Sequence, residues 1–146
     1  MNVIVFNGDC GVAVMFPAEN TGMTIEEIAE KDTPAGSEYI ITDYSSLPAD
    51  FPQSSWSIDF NAGEVLVDSE KLKSIYIADA GLEKDRLIVE AKVYINDHNW
   101  PSKLALGRLS DDDKARFNAW LDYIEAVTAV DTATAPDINW PDKPLS

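Results

Sequence analysis

The chain offers few side chains that could carry out nucleophilic or metal-assisted chemistry. It has one cysteine, Cys10, and one histidine, His98. A single cysteine excludes an intramolecular disulfide and any zinc site that needs two or more cysteines, and a single histidine excludes multi-histidine metal sites. Cys10 follows Asp9, and a neighbouring carboxylate disfavours the thiolate that a catalytic cysteine requires. The sequence therefore does not predict a cysteine nucleophile.

Two further groups allow both a chemical and a structural interpretation. His98 lies between Asp97 and Asn99 and is either a general base or a solvated histidine in a loop. The acidic run at residues 111–113 is either a site for a divalent cation or the first turn of a helix. Consecutive helical residues point about 100° apart, which favours the helix start. No phosphate-binding loop is recognisable, and we predict no enzymatic activity, no metal site and no cofactor.

The composition is that of an acidic globular protein. The 146 residues include 26 acidic and 11 basic side chains, a net charge of −15, and 45% of the residues are apolar. So large a negative charge argues against direct nucleic-acid binding through phosphate contacts and against adsorption to an anionic membrane. No apolar run approaches the roughly 18 residues of a membrane span. No signal peptide is evident, so we expect a soluble protein made in a cytoplasm.

The negative charge is concentrated in the first half of the chain. Residues 1–68 hold 12 acidic side chains and one basic side chain, Lys31, whereas the remaining residues hold 14 acidic and 10 basic side chains. The acidic half has two interpretations. It is either a solvated surface that keeps the protein soluble, or a surface that mimics DNA by presenting carboxylates in place of phosphates.

The same half is predicted to be rich in strands. Short apolar or alternating runs predict strands at residues 3–6, 12–16, 39–41, 55–60 and 64–67. Thr24 and Glu27 form a capping box for one short helix, which Pro34 ends. We therefore predict an α+β protein whose first module, residues 1–68, is acidic and β-rich.

Residues 69–130 are predicted to form a helical module. A first helix follows a cap at Asp68 or Ser69, and Gly81 either breaks or weakens it. Its apolar face is marked by Leu72, Ile75, Tyr76, Asp79 and Leu82. Pro101 and Gly107 mark the start and the end of a second helix. Ser110 caps a third helix, with an apolar stripe of Phe117, Trp120, Leu121, Ile124 and Val127.

Residues 131–146 are predicted to form an extended tail, because prolines at 136, 141 and 144 exclude a helix. An extended segment with a large aromatic residue either packs on its own helices or docks on a partner, and both interpretations stay open for Trp140. The predicted partner-binding residues are Trp120, Tyr123, Ile138, Trp140 and Pro141.

Three stretches near the C-terminus carry a resemblance to a known family. They are NAWLDY at residues 118–123, VDT at 130–132 and APDINWP at 135–141. From residue 99 onward, the sequence resembles the C-terminal region of tail-fibre assembly proteins of tailed phages (Caudovirales). In the first half, the stretch TIEEIAEKDTPAG at residues 24–36 is similar to a pattern in small prophage proteins encoded near tail genes.

The resemblance implies a non-enzymatic chaperone. Such a protein binds the distal tip of a phage tail-fibre or tail-tip protein, helps it to trimerise and in some cases stays attached to the virion. The implied place of action is the cytoplasm of the bacterial host, and a homo-oligomer is left open. The alternative is an acidic phage protein that mimics DNA and inhibits a host defence nuclease or CRISPR complex.

Overall fold

The structure is a computed structural model that describes residues 1–145. The chain divides into two compact units, one of residues 1–75 and one that begins at residue 76. All the strands lie in the first unit and the longest helices lie toward the C-terminus, so the predicted α+β class is confirmed. Ser146, the last residue of the predicted tail, lies outside the described residues.

The first unit is built on a three-stranded antiparallel sheet. Its strands are β1 (Asn2–Gly8), β2 (Gly11–Met15) and β3 (Tyr39–Asp43), and their order is β2-β1-β3. A two-residue turn, Asp9–Cys10, joins β1 to β2, and Asn7 and Gly8 before it pair with Val12 and Gly11. A separate antiparallel hairpin consists of β4 (Trp56–Asp59) and β5 (Glu64–Val67).

Both faces of the three-stranded sheet are covered. Val3 and Val5 point to the face that packs with the β4–β5 hairpin, where Trp56 and Val65 complete the core. Ile4 points to the opposite face, which is covered by helix α1 (Ile25–Asp32). The period-two alternation of a strand produces these two cores from one continuous apolar run.

Helix α1 begins where its capping box predicts. The Thr24 hydroxyl accepts a hydrogen bond from the backbone N–H of Glu27, and the Glu27 carboxylate accepts one from the backbone N–H of Thr24. The helix ends at Asp32, two residues before Pro34. These local signals fix where α1 begins and ends, and its packing on the sheet comes from Ile28 and Ala29, which contact the core around Ile4.

Helix α2 (Ser69–Asp97) is a single 29-residue helix. The Asp68 carboxylate accepts hydrogen bonds from the backbone N–H groups of Glu70 and Lys71, so Asp68 rather than Ser69 is the capping side chain. Gly81 does not interrupt the helix. In the second unit α2 buries Ala80, Leu87, Ala91 and Ile95. The prediction that Leu82 belongs to the core face is wrong, since its side chain is 70% exposed.

Two shorter helices pack with α2 in the second unit. Helix α3 (Trp100–Ala105) buries Trp100, and helix α4 (Asp111–Thr128) begins where the Ser110 hydroxyl accepts a hydrogen bond from the backbone N–H of Asp113. The acidic run 111–113 is the first turn of α4, which confirms the helix-start interpretation. On α4 the buried residues are Trp120, Tyr123 and Val127. Leu121, predicted in the stripe, is largely exposed because it lies beside the buried face rather than on it.

The C-terminal tail is extended except for one short turn. Residues Thr132–Thr134 form a 3-10 turn, since the Asp131 carboxylate accepts a hydrogen bond from the backbone N–H of Ala133. This turn is the one departure from the extended tail predicted for residues 131–146, within the residues that the structure describes. Beyond it, Trp140 packs against the core of the second unit. None of the helices in residues 1–145 is both long enough and apolar enough to cross a membrane.

We expect Gly81→Ala to stabilise the protein by about 0.5–1 kcal/mol, because a helical glycine costs more backbone entropy than alanine. A Cβ at Gly81 would meet no atom within 4 Å. Gly107→Ala is the matched control: its surroundings are equally open, but its φ of +65° disfavours alanine. Thermal unfolding should show a higher melting temperature for the first variant and a lower one for the second. A lower melting temperature for Gly81→Ala would contradict the continuous helix.

We expect Trp140→Ala to destabilise the protein by about 1–3 kcal/mol, because the indole is partly buried against the second core. Trp100→Ala removes a fully buried ring and should cost about 3–5 kcal/mol. Chemical denaturation of the two variants measures both values. No loss of stability in Trp140→Ala would show that the tail does not pack on its own helices.

Candidate partner-binding surface

The long helix α2 is apolar on two opposite faces. At about 100° per residue, Leu82, Val89 and Val93 lie about 180–220° around the helix from Ala80, which is on the buried face. Their side chains are 70%, 59% and 51% exposed. We call these three residues the α2 ridge. The ridge is an apolar surface that no described residue covers.

Exposed ion pairs border the α2 ridge. Arg86 lies between Leu82 and Val89, and its guanidinium donates to Glu83 at 2.7 Å and to Glu90 at 2.8 Å. Lys143 of the tail also donates to Glu90. Hydrogen bonding to Lys143 is the main cause that lowers the pKa of Glu90, and hydrogen bonding to Arg86 lowers the pKa of Glu83. Exposed pairs contribute little stability, so their main effect is a charged border beside the ridge.

A groove opens on one side of the ridge, between α2, α4 and the tail. It encloses a cavity of about 330 Å³. Its lining consists of Glu90, Val93, Tyr94, Asp97, Trp120, Lys143 and Pro144. We call it the Trp120 groove. Val93 belongs to both features, so the ridge and the groove form one continuous surface of the second unit.

Stacked aromatic rings form the floor of the Trp120 groove. The rings of Tyr94 and Trp120 are stacked with centroids 4.2 Å apart, and Tyr123 meets Trp120 edge-on at 5.8 Å. Trp100 lies edge-on to Tyr94 at 5.8 Å and stacks with Phe117 at the same distance. Rings packed in this way have few alternative rotamers, so the floor is rigid.

The predicted partner-binding residues occupy two different environments. Trp120 and Tyr123 are buried in the second core and contribute to the floor of the surface rather than to its exposed part. Ile138, Trp140 and Pro141 lie on the tail and are partly buried. Ile138 and Trp140 line a smaller cavity of about 220 Å³ with Tyr76 and Ala80. Contact of these five residues with a partner stays a prediction.

The two residues considered for chemistry, His98 and Cys10, are both exposed. His98 is exposed, its ring packs on Tyr94 at 4.2 Å, and its Nδ1 is 2.8 Å from the carbonyl oxygen of Tyr94. Cys10 is exposed in the β1–β2 turn. Within residues 1–145, no group of three or more metal-ligating side chains converges.

The sequence did not predict the α2 ridge, and of the residues that line the groove it predicted only Trp120 as a binding residue. The spacing of Leu82, Val89 and Val93, at i, i+7 and i+11, marks one side of a helix and was available in the sequence. The pattern could not be recognised as a separate exposed face, because the opposite side of α2 is apolar as well. Lys143 gave no local signal, since it reaches the groove through the fold of the tail.

Several known proteins are similar to this chain. It is 50% identical over 68 residues to the uncharacterized protein YmfS of Escherichia coli (strain K12). The aligned residues cover 47% of this chain and 50% of YmfS. It is 35% identical over 105 residues to the prophage tail fiber assembly protein homolog TfaE of the same strain. The aligned residues cover 66% of this chain and 52% of TfaE. The chain thus spans about half the length of these relatives.

A more distant relative matches almost the entire chain. The tail fiber assembly protein of Escherichia phage lambda is 27% identical over 146 residues, which cover 98% of this chain and 71% of that protein. No solved structure shows significant similarity to the chain.

The family profile matches much more than the C-terminal third. It covers residues 18–145 and so includes most of the first unit as well as the stretches from residue 99 onward. The separate resemblance of residues 24–36 to small prophage proteins stays a prediction. On this match, the chain belongs to the family described as Caudovirales tail fibre assembly protein, lambda gpK.

Proposed function

We propose that this protein is an assembly chaperone that binds a phage tail-fibre or tail-tip protein and helps it to reach its assembled form. Membership of the tail fibre assembly family supports a role in phage tail-fibre assembly. The observation that carries the binding mode is the α2 ridge, an apolar surface on the side of α2 opposite to the core. Binding is non-covalent in this proposal, and the protein is not an enzyme.

An exposed apolar surface on the chaperone can cover one on the fibre subunit. Fibre subunits expose apolar segments before they associate, and such segments aggregate if nothing covers them. The ridge can cover such a segment because Leu82, Val89 and Val93 are already exposed and need no rearrangement. The charged border and the net charge of −15 keep the free chaperone from associating through the same surface.

The proposal assigns different roles to the residues predicted from the sequence. Trp120 and Tyr123 support the surface from below, because both are buried in the second core. Ile138, Trp140 and Pro141 hold the tail against the helices and extend the contact with the partner. Action in the cytoplasm of the bacterial host, where fibre subunits are made, belongs to the same proposal.

Co-expression tests the function directly. The fibre protein of the same phage or prophage genome is produced with and without this chain, and soluble fibre protein is measured together with co-purification. The proposal expects more soluble fibre protein and a stable complex. Unchanged solubility with no co-purification would contradict it.

The α2 ridge makes a sharper prediction. Leu82→Lys places a charge on the ridge and should reduce co-purification with the fibre protein strongly, while the melting temperature changes little, because exposed substitutions usually stay within about 0.5 kcal/mol. Leu106→Lys is the matched control, since Leu106 is also 70% exposed but lies in the α3–α4 connection, outside the ridge. Equal binding by the two variants would show that the ridge is not the contact.

A further inference from the structure

We infer that the end of the tail, residues 142–145, is a strap that closes the Trp120 groove and moves away to admit a segment of the partner. We call this segment the tail strap. One exposed ion pair holds it, between Lys143 of the strap and Glu90 of α2. The inference rests on the proposed function for what enters the groove, whereas the opening of the strap is a property of the free protein.

The tail is packed on the second core only as far as Trp140, whose indole is partly buried there. Beyond it, Lys143 is exposed, Pro144 is partly buried and Leu145 is 93% exposed. Among the described residues, no hydrogen bond links the backbone of the strap to another backbone group. The position of the strap therefore depends on its side chains, and the charged one of them that reaches α2 is Lys143.

The ion pair that holds the strap is built to be weak but oriented. One carboxylate oxygen of Glu90 accepts from Arg86 at 2.8 Å, and the other accepts from Nζ of Lys143. Arg86 thus orients the carboxylate toward the strap. The Lys143 and Glu90 side chains are still 50% and 40% exposed, so water and salt weaken their attraction. An exposed pair of this kind shifts an equilibrium by at most about fivefold.

Opening of the strap changes what the groove can hold. With the strap in place, the cavity of about 330 Å³ is near the lower end of the roughly 300–1,000 Å³ found for ligand pockets, so it fits a side chain rather than a length of chain. Lys143 and Pro144 form one side of it. Without them, Val93 of the ridge and the ring of Tyr94 belong to one open surface. A partner segment that binds only this open form must displace the strap.

The first test measures the strap in the free protein. The heteronuclear ¹H–¹⁵N NOE of the Lys143 and Leu145 amides reports motion on the picosecond to nanosecond timescale. Glu90→Gln removes the charge that holds Lys143, and we expect both NOE values to fall toward those of a flexible chain. In the wild type, salt at about 1 M should have the same effect, because it shortens the screening length to about 3 Å. In Glu90→Gln, salt should have little further effect.

Glu83→Gln is the matched control for this test. Glu83 also accepts from Arg86 on the exposed side of α2, but among the described residues it forms no ion pair with the strap. It should leave the NOE values of Lys143 and Leu145 unchanged. If Glu90→Gln leaves these values as high as Glu83→Gln does, the ion pair does not hold the strap and the inference is overturned, whatever the fibre protein does.

The second test uses Lys143→Gln in the complex with the co-expressed fibre protein. This substitution releases the strap without altering α2. We expect the Kd to fall about twofold to fivefold, because a larger fraction of the free protein is already open. Lys103→Gln is the matched control, since it removes the same charge from an exposed lysine of α3 outside the groove. It should leave the Kd unchanged.

The outcomes of the second test separate the two claims. If the wild-type complex forms and Lys143→Gln binds no more tightly than Lys103→Gln, the strap does not close the groove against the partner. The inference is then overturned while the proposed function stands. If no wild-type complex forms, the proposed function is overturned together with the role of the strap in binding.

Discussion

Helix α2 has apolar residues on two opposite faces. A helix that packs on one side can bury only one of them, so the other face stays exposed. Its inner face supplies Ala80, Leu87, Ala91 and Ile95 to the core of the second unit. Its outer face exposes the α2 ridge. Leu82, Val89 and Val93 are apolar side chains exposed along one side of the helix, and an exposed apolar row of this kind is typical of a contact with a partner. The groove, its charged border and the tail all adjoin this helix, so the whole proposed binding surface depends on its outer face.

The stacked aromatic rings at the floor of the Trp120 groove favour binding of a partner segment. Tyr94 and Trp120 stack beneath the groove, and Tyr123 and Trp100 pack against them edge-on. A rigid floor lowers the entropy that a bound segment and its receptor lose together. The tail contributes from the other side, since Lys143 is paired with Glu90 and Pro144 forms part of the wall. Glu90 and Lys143, which are 53 residues apart in the sequence, thus meet at one place.

Features that depend on residues close together in the sequence were predicted correctly, and features that depend on residues far apart in the sequence were not. The caps at Thr24 and Ser110 involve neighbours three residues away, and the sequence located both. Leu82 was assigned to the wrong face because periodicity identifies an apolar face but cannot choose between two. Gly81 does not break α2, since packing along 29 residues outweighs the cost of one glycine. The groove could not be predicted, because α2, α4 and the tail meet only in the fold.

The central claim is that the outer face of α2 contacts the fibre protein. The most direct measurement places a photo-crosslinking amino acid at position 89, in the middle of the ridge, and irradiates the complex with the fibre protein. The account predicts a covalent product between the two chains. A complex that forms normally but yields no product from this position, and does yield one from a probe on the first unit, would contradict the account.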